Sequence, residues 1–267
     1  MSDYVVISDS LVLSDEAIMQ PKFGRLCWIN YMRTADVTIT SETEEHPATN
    51  VVNPSSSFYW QADSTAQQDI SIQVGREIDY IGIVRHNLGP DAEIRIAIRI
   101  GTHELTLWNW RPPPQGQVQV FLFNRWYADE VVVSIRNNDV PPLLGVVYAG
   151  LSTILQRKIY VGHTPITYGR NVVTVGGYSE NGQYLGELIR REGRSTNVSL
   201  QNLTPEWYRE ELDPFIAQRP RFPAFFAWRP GQYHAEVGYV WLKGSPRPVN
   251  QRSNGMMSID IEFEGMT

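Results

Sequence analysis

The segment 92–100 reads AEIRIAIRI. Ile94, Ile96, Ile98 and Ile100 fall on one side of a period of two. Glu93, Arg95, Ala97 and Arg99 fall on the other. A helix would scatter those isoleucines around its circumference, and only a strand gives them one face. The second face, with two arginines and a glutamate, must meet water or a polar partner. A strand solvated on one side needs an antiparallel sheet that buries the other. The rest of the first half repeats the pattern in short runs: 36–41, 69–74, 80–84, 104–108, 118–123, 130–135, 143–150 and 159–162. Gly75, Pro112-Pro113-Pro114 and Asn137-Asn138-Asp139 punctuate them with strand-end, polyproline and turn chemistry. That is roughly eight to ten closely spaced strands with no helix between them, the pattern of an antiparallel β-sandwich or jelly roll.

The character changes near His163-Thr164-Pro165. Asn181-Gly182 is a tight-hairpin signal joining 171–179 to 183–190. A strand at 195–200 follows. Thr204, Pro205 and Glu206 then open a helix, as N-cap, first-turn proline and dipole-complementing carboxylate. Trp207, Tyr208, Leu212, Phe215 and Ile216 give that helix an apolar face, and Pro214 is expected to break or kink it. Strands at 235–242 and 256–264 end the chain. The expected fold is mainly β: residues 1–162 a jelly roll with an N-terminal arm at 1–16, and residues 163–267 a smaller α+β domain of antiparallel sheet plus one helix.

Composition narrows the function. The net charge is −6 over 267 residues, with no dense basic face, which argues against a nucleic-acid partner. No apolar run approaches the length of a membrane span. The opening MSDYVVISDS has neither a basic n-region nor an apolar core, so synthesis in a cytoplasm is expected. The single Cys27 sits in an apolar run and reads as a buried thiol. The five histidines are scattered, Asp63 and Asp69 match no calcium loop, and no nucleophile elbow or phosphate loop occurs. No catalytic residue, metal or cofactor is nominated. The aromatics Trp108 and Trp110, with Arg85, His86 and Asn87 as hydrogen-bonding groups, are the candidate carbohydrate-binding residues. The competing reading makes them sandwich anchors and a strand end.

The run from Ala48-Thr49-Asn50 through Tyr59-Trp60, 69–75 and Ile81-Gly82-Ile83-Val84-Arg85-His86-Asn87 resembles the galactose-binding-like, discoidin-type jelly roll. Residues 126–139 and 144–150 are similar to its late strands, so the resemblance covers about 35–162. With 165–170, 177–186, the helix at 204–216, 225–230 and 258–265, the whole resembles tip or baseplate proteins of tailed-bacteriophage tails. That resemblance implies a virion structural protein made in the host cytoplasm. Its partners would be other tail proteins, further copies in a ring of three- or six-fold symmetry, and host-surface glycans. A stand-alone carbohydrate-binding module, and behind it a glycan-cleaving enzyme, are the alternatives.

Overall fold

A computed structural model describes residues 4–7 (backbone only), 23–32, 35–113, 116–159, 161–218, 222–251 and 253–267. Two sheets account for most of them. The first comprises β1 (Tyr4–Ile7), β3 (Val37–Ile39), β4 (Trp60–Gln61), β5 (Gln68–His86), β6 (Glu93–Ile100), β7 (His103–Arg111), β8 (Val118–Arg136) and β9 (Leu143–Gly150). Its order is β4-β9-β5-β8-β6-β7, with β3 beside β5 and β1 parallel to β8. The second holds β2 (Arg25–Cys27), β10 (Thr153–Ile154), β11 (Arg170–Tyr178), β12 (Tyr184–Leu203), β13 (Ala224–Ala227), β14 (Val237–Lys243), β15 (Val249–Asn250) and β16 (Met257–Met266). Its order is β10-β2-β13-β14-β16-β12-β11, with β15 on β16.

Two differences from the expected strands create the sandwich. Gly75 does not end a strand. β5 runs on through it for 19 residues, antiparallel to the equally long β8. Gly75 adopts φ +62°, and the β5–β8 register shifts there and again at Ile78/Tyr80. These irregularities bend both strands so that one sheet folds over itself. The first half of β5 lies between β3 and the end of β8. The second half lies between β9 and the start of β8. Ile70, Ile72, Ile94, Ile96, Ile98, Val131 and Val133 of the outer leaf meet Ile81, Ile83, Phe121, Phe123 and Val147 of the inner leaf in one core. On the polar face of β6, Arg99 pairs with Glu104 and Glu130, Arg95 with Glu104, and Glu93 with Arg136.

The inner leaf is apolar on both sides because the second sheet covers it. Tyr80, Val84, Val120 and Tyr148 pack on Cys27, Phe225, Ala227, Val237 and Tyr239. Strand alternation turns Leu26, Phe226, Val240, Ile259 and Phe263 to the opposite face, where Tyr208, Leu212 and Phe215 of the helix cover them. The layers are therefore leaf, leaf, sheet and helix. Sheet membership does not follow the linear division at residue 163: β2 and β10, from the first 162 residues, are strands of the second sheet. The expected strand at 159–162 is absent among the described residues there, and Val161-Gly162 forms a turn. Of the N-terminal arm, Tyr4–Ile7 pairs with Gln119–Leu122, and the rest of 1–16 lies outside the described residues.

The helix starts as its sequence dictates, with the Thr204 hydroxyl accepting the Trp207 amide at 3.4 Å. Pro214 does not break it. A wide π-turn at Tyr208–Leu212 precedes the proline, and the helix continues through Asp213–Ala217. Pro214 lacks an N–H and its ring crowds the carbonyl one turn back, and the wide turn accommodates both.

Candidate functional site

Arg85, His86 and Asn87 sit where β5 ends, and each has internal partners. Arg85 occupies the left-handed region at φ 60°, unusual for a residue with a side chain. Its Nη1 donates to the carbonyls of Ser56 (2.6 Å) and Ser57 (3.2 Å). Its guanidinium lies 4.5 Å from the Tyr59 ring centre, and His46 stacks on the same ring at 4.0 Å. Arg85 thus clamps the 53–59 loop to the sandwich. His86 is buried, with Nδ1 accepting the Leu88 amide and Nε2 2.7 Å from the Gly116 carbonyl. Gln119 Nε2 lies 2.8 Å from the same Nε2. Burial pushes the His86 pKa below the ordinary histidine value, so the ring is neutral at pH 7. Asn87 donates to the Pro141 carbonyl and accepts the Leu143 amide, at 2.9 and 2.8 Å. These three residues tie loops together with the groups that a glycan would need.

The two tryptophans separate. Trp108 packs edge-on to Phe121 at 5.8 Å, joins the sandwich core, and carries a buried Nε1 with no acceptor among the described residues. Trp110 is half-buried beneath the guanidinium of Arg136, 4.2 Å from its ring centre. Arg136 and Asn137 both donate to Glu93 Oε2, at 2.7 and 3.0 Å. Trp110, Arg136, Glu93 and Asn137 thus form a surface cluster of one aromatic and three polar groups. Trp60, by contrast, is an anchor: fully buried, with Nε1 donating to the Ser41 carbonyl at 3.0 Å.

Half of the exposed large apolar side chains among the described residues lie elsewhere, on the β11–β12 hairpin. Asn181-Gly182 does make its turn, with Gly182 at φ +75°. The second strand does not stop near residue 190. It runs on to Leu203, joining the sheet only from Arg194 onward, where it pairs with β16. The hairpin therefore projects. Val172, Val173, Val175, Tyr178, Tyr184, Leu185, Leu188 and Ile189 are all exposed, from 42% for Val172 to 77% for Leu188. The sequence contained a signal for this. Val172-Val173 and Leu188-Ile189 put apolar side chains on both faces of a two-stranded ribbon, which cannot bury both by itself.

Cys27 is buried, and burial raises its thiol pKa well above the usual value. Among the described residues no cluster of histidine, cysteine and carboxylate side chains could hold a metal ion, and no helix is long and apolar enough to cross a membrane.

No protein-family model and no curated protein matches the sequence. Solved structures do. The family 32 carbohydrate-binding module of NanJ from C. perfringens, in complex with galactose, matches at 13% identity and TM-score 0.40, over 47% of this chain and 98% of its own. A fucose-binding module from Streptococcus pneumoniae matches at 11% and 0.40, over 45% of this chain and 96% of its own. A putative α-L-fucosidase from Bacteroides thetaiotaomicron matches at 14% and 0.42, over 47% of this chain and 29% of its own. None of the three is a phage tail protein.

Proposed function

We propose that this chain is a structural subunit of a larger particle, assembling through its second sheet and presenting its β-sandwich outward. The observation that carries the reading is the projecting hairpin, with eight large apolar side chains exposed. Contiguous apolar surface of this kind marks contact sites on soluble proteins. A two-stranded ribbon is marginal in water until something packs on it. The sequence resemblance supplies the setting, the tail tip or baseplate of a tailed phage, with other tail proteins as partners. The role is structural and needs no catalytic group, metal or cofactor. Electron microscopy of particles labelled with antibody to this chain tests it. Label at the tail end is expected, and unlabelled tails on particles that are otherwise intact would defeat the reading.

A second reading, glycan binding by the sandwich, is favoured by the Trp110 cluster. A half-exposed indole can stack on the C–H face of a sugar ring, with Arg136, Glu93 and Asn137 beside it for hydroxyls. The galactose and fucose named for the solved modules belong to those proteins. A glycan array on the wild type and on Trp110→Ala tests the idea: signal lost in the variant supports it, and a blank wild-type array ends it.

A further inference from the structure

Trp110 owes its place to an irregularity between β6 and β7. Ile96 pairs with Trp108 and Ile94 with Arg111, so two residues of β7, Asn109 and Trp110, oppose the single Arg95. Strict alternation would return Trp110 to the side of Trp108, which joins the core. The extra residue turns it to the polar face of β6 instead, where it meets Arg136. Its amide donates to the Asn109 side-chain oxygen at 2.9 Å. Glu93 lies two residues before Arg95, on the same side of β6, and its register partner on β8 is Arg136. The order β8-β6-β7 puts Glu93 in the middle, and Arg136 reaches across it. Arg136 Nε donates to Glu93 Oε2 at 2.7 Å, while the guanidinium lies 4.2 Å from the Trp110 ring centre. Asn137, at φ 57°, donates to the same oxygen at 3.0 Å.

This arrangement has the form of a bound ligand. A flat group covers an indole face while its N–H donates to the carboxylate beside it. A pyranose makes the same two contacts, with a C–H face for the ring and hydroxyls for the carboxylate. Arg136 therefore stands where a sugar would. Its hold is weak. The Arg136 side chain is 38% exposed and that of Glu93 27%, so their ion pair is largely solvated, and a cation–π contact at an exposed site adds little more. Charge then selects the ligand. With Arg136 swung out, the group left beside the indole is the Glu93 carboxylate, which accepts hydroxyls and repels an acid.

We propose that Arg136 is the resident occupant of the Trp110 cluster, and that an uncharged sugar ring binds by displacing it. The proposal rests on the glycan reading and adds the ligand's charge and a built-in competitor. The test uses a printed array of neutral and sialylated oligosaccharides, read over a series of protein concentrations. Wild type, Arg136→Ala, Trp110→Ala and Arg136→Ala/Trp110→Ala are compared as full chains. Arg136 is a surface side chain, so its removal leaves the core intact. Arg136→Ala should bind neutral glycans about ten-fold more tightly than the wild type, with no gain on sialylated ones. The double variant should lose that binding, because the indole is the platform. An Arg136→Ala variant that gains nothing, a gain that survives in the double variant, or a gain confined to sialylated glycans would overturn the proposal. If Trp110→Ala abolishes wild-type binding while Arg136→Ala gains nothing, the glycan reading stands and displacement alone falls. If none of the four proteins binds any glycan, both fall.

Discussion

Asp79 lies on β5 at the joint between the sandwich and the second sheet. Its Oδ1 accepts the Ser152 amide at 2.6 Å and its Oδ2 the Ser152 hydroxyl at 3.2 Å. Arg25 on β2 supplies a favourable charge, yet burial outweighs both and raises the carboxyl pKa from 3.8 to about 6. The folded protein thus holds this proton more tightly than the unfolded chain does. The stabilisation is complete below pH 3.8 and is lost as pH rises through about 6. A shift of that size is worth roughly 3 kcal/mol. The test is Asp79→Asn, which keeps the shape and an acceptor for the Ser152 amide. Urea unfolding at intervals between pH 4 and 7.5 gives the stability of each protein. Relative to the variant, the wild type should lose on the order of 3 kcal/mol across that range. The variant can be less stable at every pH, since Arg25 loses its counter-charge, so the difference in slope is the readout. Parallel profiles would refute a buried, proton-holding Asp79.

Three further outcomes follow from packing. A Cβ on Gly82 would collide with the Phe225 ring across the joint, so Gly82→Ala should cost about 1–3 kcal/mol in thermal or urea unfolding, and an unchanged midpoint would contradict the close approach. Thr204→Ala removes the cap on the Trp207 amide and the acceptor for Gln156, and should cost about 1 kcal/mol by the same assays, whereas Thr204→Ser should be near neutral. Arg85→Ala releases the Ser56 and Ser57 carbonyls, so limited proteolysis should cut the 53–58 loop faster than in the wild type, and equal rates would show that the clamp is dispensable.

The sandwich was legible because its strands are solvated on one side. In 94–100 every second residue is an isoleucine, and Ile94, Ile96 and Ile98 are fully buried. The inner leaf was harder to read. Tyr80 to Val84 is apolar throughout, and only the structure shows that a second sheet covers its other face. β5 was read as two short strands because a glycine at positive φ, Gly75, looks the same in a bulge as at a strand end. The entry of β2 into the second sheet rests on pairing between residues about 200 positions apart, which no local pattern encodes. At the sandwich end the residue types were informative and their employment was not. Arg85, His86 and Asn87 can all bind sugar hydroxyls, but sequence cannot show that the Ser56, Gly116, Pro141 and Leu143 backbone already engages them. The hairpin turn was read from Asn181-Gly182. The exposure of its valines and leucines depends on how far it projects, which is set by where β16 begins to pair.

The most direct test of the assembly account is hydrogen exchange on the hairpin, comparing the chain in purified particles with the same chain free and dilute. The account predicts that amides within 172–178 and 184–190 exchange at least about ten-fold more slowly in the particle, while those of 69–73 on the outer leaf are unchanged. Equal exchange of the hairpin in both states would contradict it, because an exposed apolar ribbon that stays exposed in the particle is not its contact surface.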